Sequence, residues 1–140
     1  MEKKKVLILH GKPGMGHLMT AKALMEVFSR KYPGVDVKDA DAFDFIDGTL
    51  KYGYLYFYNH IITKAPFLFR ILYDSYNNKL IRKVLERVTL SFVKKAQFIS
   101  FIKDFNPDFI LATNPLSLQL VSLIKEKNII DILSANVCTD

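Results

Sequence analysis

Gly11, Gly14, Gly16 and His17 stand together in VLILHGKPGMGHLMTAKALMEVF, residues 6–28, between four contiguous apolar residues and a stretch with helical spacing. Glycines at the end of a strand let backbone N–H groups approach a ligand closely, and the positive N-terminal end of a following helix favours negative charge there. Gly11, four residues, then Gly16 is how the ATP/GTP phosphate loop begins, but that loop continues with Lys for the terminal phosphates and Ser/Thr for magnesium. Here the two places hold His17 and Leu18, which argues against a nucleotide triphosphatase. The dinucleotide fingerprint fits no better: the glycines read G-x-x-G-x-G rather than G-x-G-x-x-G, and the acidic ribose ligand would have to be Asp39 or Asp41. His17 then has two readings. It takes a proton from a ligand hydroxyl as a general base, or it merely starts the helix and bonds a neighbouring loop.

The elements that must hold this loop are legible in the hydrophobic pattern. KVLILH (5–10) is contiguous rather than alternating, which predicts a strand buried on both faces, hence a parallel sheet. Leu18, Ala21, Met25 and Phe28 fall on one face of a helix that YPG (32–34) stops. VDVKDAD (35–41) alternates as a second strand and completes a right-handed β-α-β unit. PDFILAT (107–113) repeats the buried-strand pattern, PLSLQLVSLIKEKN (115–128) follows as a helix, and IIDILSANVCTD (129–140) contains a further strand. Alternating strands and helices predict an α/β fold, a doubly wound parallel sheet.

The middle differs. KYGYLYFYNHIITKAPFLFRILYDSY (51–76) holds nine of the chain's 11 Phe and 7 Tyr, interspersed with Lys51, Lys64 and Arg70. Such a mixture suits a bilayer interface, where rings sit at headgroup depth and cations attract anionic lipid; equally, Phe57, Phe67, Phe69 and Leu72 can be ordinary core. Residues 79–103 are predicted as one long helix carrying Lys79, Arg82, Lys83, Arg87, Lys94, Lys95 and Lys103, with Glu86 as its only acid. Its apolar residues Leu80, Val84, Val88, Phe92, Ala96 and Ile99 share one side, so that side is expected to be buried and the cationic side to face outward.

Composition bounds the function classes. A chain of 140 residues, 50% hydrophobic and 24% charged, is the size of one ordinary domain with one core. Cys138 is the single cysteine, and the run after Met1 and Lys3–Lys5 is too short for a signal peptide, so a reducing cytoplasmic setting is expected. No window reaches the roughly eighteen apolar residues of a membrane span. The net charge of +6 favours an anionic partner; no nucleic-acid motif accompanies it, so no nucleic-acid partner is expected, nor is a metal site.

Taken together, these segments resemble the monogalactosyldiacylglycerol synthase and processive diacylglycerol glucosyltransferase family, related to the peptidoglycan lipid-intermediate N-acetylglucosaminyltransferase. VLILHGKPGMGHLMTAKALMEVF resembles its opening strand, glycine loop, Gly-His and helix; VDVKDADAFDF its second strand; NPDFILATNPLSLQLVSLIKEK its PD-strand-T-x-P segment; and the final VCTD its strand end in T-D. His10, Lys12 and Pro13 depart toward larger residues, and Asn114 stands where many members have histidine.

The resemblance implies a two-domain GT-B glycosyltransferase, of which residues 1–140 are the Rossmann-like N-terminal half that binds acceptor and membrane. A C-terminal donor domain, absent from this chain, would be its partner, and residues 1–140 alone are expected to be inactive. The implied reaction moves a hexose from a nucleotide sugar such as a UDP-hexose, a substrate of the whole enzyme with no cofactor bound by this domain, to diacylglycerol or a glycolipid. It implies His17 or Asp140 as base, Gly11, Gly14, Met15 and Gly16 as the loop beneath acceptor and donor phosphates, and Thr113, Asn114, Pro115 and Thr139 as cleft residues. It gives Tyr54, Tyr56, Phe57, Lys64, Phe67, Phe69 and Arg70 the lipid-facing role, and it places the protein peripherally at the inner face of the cell membrane, on an anionic surface. The competing readings are a non-catalytic membrane-recruiting subunit of a split glycosyltransferase and a stand-alone nucleotide-binding module.

Overall fold

A computed structural model describes residues 3–12, 15–75, 77–126 and 128–137. They gather into two compact units, one formed by the residues up to Phe45 with those from Lys94 on, the other by Ile46–Val93.

The first unit is built on β1 (Lys5–His10), whose apolar run is covered on both sides; Leu7, Ile8 and Leu9 expose nothing. β2 (Asp36–Asp41), β3 (Phe109–Ala112) and β4 (Leu133–Asn136) join it in the order β2-β1-β3-β4, every pair parallel. The sheet is therefore α/β and Rossmann-like, as the sequence predicts. Register puts Val6, Ile8 and His10 of β1 on one face with Val37, Asp39 and Asp41 of β2. α1 (Met15–Lys31) covers that face through Ala21, Leu24, Met25 and Phe28, the stripe read from the sequence with Leu24 added and without Leu18, which is half-buried outside this cluster. Leu7 and Leu9 turn the other way, with Lys38 of β2, whose ammonium lies 4.8 Å from the Phe101 ring of α5 (Lys95–Phe105). Phe98 of α5 is fully buried and meets Phe45, in a short 3-10 turn at Ala42–Phe45, edge-on at 5.0 Å. α5 ends at Asn106 in the left-handed region (φ 48°), where asparagine is tolerated, and its N–H donates to Ile102 O just before Pro107. α6 (Pro115–Glu126) packs Leu116, Leu120, Val121, Leu123 and Ile124 inward.

At the amino ends of β1 and β3, Asp108 accepts from Lys4 Nζ and from the Lys5 N–H, each at 2.8 Å. Those donors, the Lys4 ammonium first, hold its carboxyl below the usual aspartate value.

The second unit contains α2 (Gly48–Lys64), α3 (Pro66–Ser75) and α4 (Lys79–Ser91). Asn78 caps α4 by accepting from the Leu80 N–H at 2.9 Å. The single helix expected over 79–103 is in fact α4 and α5 with a break at Phe92–Lys94. The Phe92 N–H turns back to Leu90 and Thr89, its carbonyl accepts from the Asp47 N–H (2.9 Å), and Val93 forms an antiparallel bridge with Ile46. Backbone pairing with a distant segment thus overrides an unbroken apolar period. The expected burial of one side also fails: Leu80, Val84, Val88 and Phe92 are 75%, 59%, 48% and 41% exposed, Ala96 is exposed and Ile99 is half-buried.

Candidate functional site

In a doubly wound sheet, ligands bind beyond the carboxyl ends of the strands where the strand order reverses. Here β1 lies between β2 and β3, and the chain leaves β1 toward β2 and leaves β3 toward β4. The switch point is therefore the pair of loops after β1 and β3, which carry Gly11 to His17 and Thr113 to Pro115.

The two loops are tied together. The Thr113 N–H donates to Leu9 O at 3.0 Å, and Thr113 Oγ1 stands 3.4 Å from both Leu9 O and His17 O, which sets the first turn of α1 over the end of β3. Asn114 caps α6: its Oδ1 accepts the Ser117 N–H at 2.8 Å, with Pro115 at the first helical position, where its missing N–H costs nothing. Gly11 is required by close approach, since a Cβ there would collide with Asn114 Nδ2 and come 3.1 Å from the Phe43 ring. Gly16, within the first turn of α1, faces open space among the described residues.

Burial singles out the same edge. Among the described residues the buried polar or charged side chains are His10, Asp41, Thr113, Asn114 and Ser117; the first four lie at the carboxyl end of β1, β2 or β3 or in the turn that follows, and Ser117 in the first turn of α6. Burying polar groups is unfavourable unless they are bonded, so each of the five calls for a partner; Thr113 and Asn114 have theirs in the bonds above. His10 Nε2 lies 3.3 Å from Asp39 Oδ2. Asp41 Oδ1 accepts from the Phe43 N–H (2.9 Å), and its Oδ2 is 3.8 Å from Lys12 Nζ. Among the described residues, His10 Nδ1, Asp41 Oδ2, Ser117 Oγ and, farther along α6, Gln119 Oε1 are buried without a hydrogen-bond partner.

Of the residues expected from the sequence, His17, Gly11, Gly16, Thr113, Asn114 and Pro115 come together here. His17 is half-buried in the first turn of α1 and Met15 is exposed at its start. Gly14, Thr139 and Asp140 lie outside the described residues. The lipid-facing set is elsewhere, on α2 (Tyr54, Tyr56, Phe57, Lys64) and α3 (Phe67, Arg70), all exposed; the Phe69 side chain lies outside the described residues. Phe57 and Phe67 are therefore not the ordinary core residues that the sequence also allows.

Sequence reasoning missed the roles of His10, Asp41 and Ser117. The signal for His10 was available: it continues the Val6–Ile8 face of a strand already read as doubly buried. A groove lined by Lys4, Lys5, Pro107, Asp108 and Ile130 lies at the amino ends of the strands, the edge where parallel sheets do not place ligands. Among the described residues no group of three His, Cys, Asp or Glu side chains is placed to hold a metal.

The model of the monogalactosyldiacylglycerol (MGDG) synthase family matches residues 17–140, from His17 through both later strands. The chain belongs to the MGDG synthase family. Membership makes it, at the level of that family, a glycosyltransferase acting on diacylglycerol, within glycolipid metabolism. No curated protein and no solved structure matches it. The MGDG synthase match begins at the histidine itself, so the glycine loop before it rests on the geometry above. No helix among the described residues is long and apolar enough to cross a membrane.

Proposed function

We propose that residues 1–140 are the acceptor-side domain of a GT-B glycosyltransferase that moves a hexose from a nucleotide sugar such as a UDP-hexose to diacylglycerol or a glycolipid. The observation that supports this reading is the gathering of the five buried polar side chains among the described residues at the sheet edge that also carries His17. The acceptor hydroxyl attacks the anomeric carbon of the donor, the bond to the diphosphate breaks, and a base takes the hydroxyl proton. His17 supplies the base or orients the hydroxyl; Asp140 is the other candidate. The N–H groups at the start of α1, reached past the bare Gly16, complement the developing charge on the diphosphate. Gly11, Gly14 and Met15 shape that loop, and Thr113, Asn114, Pro115 and Thr139 line the cleft. A donor domain outside this chain binds the nucleotide sugar.

Membrane docking is assigned to the second unit, at the inner face of the cell membrane. Tyr56, Phe57 and Phe67 with Lys64 and Arg70 give α2 and α3 an aromatic and cationic surface. α4 adds an exposed apolar stripe, Leu80, Val84 and Val88, beside Lys79, Arg82, Lys83 and Arg87, the composition of a helix that lies in the interface of an anionic bilayer.

The test is His17→Ala in the full-length enzyme. Loss of a general base lowers turnover by roughly 10²–10⁴ while lipid binding is retained. A parallel loss of both returns His17 to a structural role, and unchanged turnover removes it from the reaction.

A further inference from the structure

His10 and Asp41 are directly opposite each other on β1 and β2, on the face that α1 covers. Each holds one acceptor that nothing donates to. The Asp39 carboxylate lies 3.3 Å from Nε2, so in the neutral ring the proton belongs on that nitrogen and Nδ1 keeps a lone pair, buried and unpartnered among the described residues. Asp41 commits Oδ1 to the Phe43 N–H and leaves Oδ2, equally buried, with only the Lys12 ammonium at 3.8 Å. Buried acceptors without donors are uncommon, and each calls for a reason. Two of them side by side at the ligand edge of the sheet ask for O–H groups; a phosphate or carboxylate, which brings acceptors, is the wrong chemistry for this spot.

We propose that His10 and Asp41 form a hydroxyl-binding subsite beneath the first turn of α1, one that takes a polyol hydroxyl from glycerol or from a sugar. The hydroxyl enters as the Lys12 side chain, the exposed member of the group, swings off Asp41. Asp39 acts through His10 as a positioning residue, holding the ring so that Nδ1 accepts. The subsite rests on the transferase reading for its substrate but not for its geometry.

The test is saturation-transfer NMR on the full-length protein, with glycerol as probe in one arm and methyl β-D-galactopyranoside in the other. His10→Gln, which keeps a polar group near Nε2 and none at Nδ1, and Asp41→Asn, which keeps Oδ1 for the Phe43 N–H and turns the second acceptor into a donor, each weaken binding about three- to tenfold. His10→Asn, which restores an acceptor at the Nδ1 position, binds within about twofold of wild type. Sensitivity in the glycerol arm alone assigns the subsite to the lipid backbone, and in the glycoside arm alone to a sugar. The proposal is overturned if wild type binds neither probe, if His10→Gln and Asp41→Asn bind as wild type does, or if His10→Asn and His10→Gln lose binding equally, in step with melting temperature. His10-dependent polyol binding in a protein that transfers no hexose sinks the transferase reading and leaves the subsite standing; transfer with no such dependence does the reverse.

Discussion

Replacing Gly11 by alanine tests the claim that the loops after β1 and β3 fit against each other. The backbone at Gly11 lies outside the left-handed region, so by conformation alone alanine would stabilise the fold by about 0.4–1 kcal/mol through the unfolded chain. The new Cβ, however, collides with Asn114 Nδ2 and sits 3.1 Å from Phe43 Cε2. Overpacking of this kind costs about 1–3 kcal/mol, and if the Asn114 amide moves aside it also gives up the cap on Ser117, a further ~1 kcal/mol. The net expectation for Gly11→Ala is a loss of about 1–3 kcal/mol, with Tm lower by roughly 2–4 °C per kcal/mol at this size. The decisive measurement is a double-mutant cycle by urea and thermal denaturation. Asn114→Ala alone costs about 1 kcal/mol as a lost cap; in that background only the Phe43 contact resists the new methyl. The two substitutions should therefore couple by at least ~1 kcal/mol. Gly11→Ala at or above wild-type stability, or the same cost with and without Asn114, refutes the interlocked loops.

The remaining predictions concern the two ends of the molecule's chemistry. Asp108, whose folded pKa lies below the unfolded value of about 3.9, contributes stability that is complete above that value and lost as pH falls through the lower folded one. Asp108→Asn should accordingly flatten the rise of the urea midpoint with pH on the acid side of about pH 4 and leave its slope near neutrality unchanged; identical acid slopes would remove the Lys4–Asp108 contact from the account. On α4, Val84→Asp should weaken binding to vesicles containing anionic lipid at least tenfold. Arg82→Gln with Lys83→Gln should cost about 1 kcal/mol per charge at low salt. Binding that ignores lipid charge refutes the docking role given to this helix.

The sheet was legible because β1 and β3 are contiguous apolar runs and β2 alternates, each bounded by glycine, proline or polar residues, and because parallel strands leave few alternative orders. The ligand loops were legible for the same reason: once β1 and the strand at 107–113 are parallel neighbours, Gly11–His17 and Thr113–Pro115 must share an edge. What escaped was set by backbone pairing between distant segments. The apolar spacing Val88, Phe92, Ala96, Ile99 runs straight through the break between α4 and α5, where the Asp47–Phe92, Ile46–Val93 and Lys94–Phe45 pairings stop the helix. The sequence offers Asp41 only as a candidate ribose acid, and its burial comes with a turn in which the Phe43 N–H donates back to Oδ1. His10 was passed over because a histidine after LIL reads as a strand end, although alternation with Ile8 already put it inside.

β1 is central in the sheet yet the first of its four strands to be synthesised. It meets β2 within about thirty residues, but Val6 pairs with Phe109, and the whole Ile46–Val93 unit must be made in between. At roughly 5–20 residues per second, that interval lasts on the order of 5–20 s, during which β1 presents an open hydrogen-bonding edge and one uncovered apolar face. Nascent chains with such an edge pair with the wrong strand or with each other, so the order of synthesis makes this protein dependent on whatever shields its first strand until the third arrives. The helical insertion Ile46–Val93, to which membrane docking is assigned in the proposal above, is in that sense also a delay line in assembly, and shortening it would change when the fold closes.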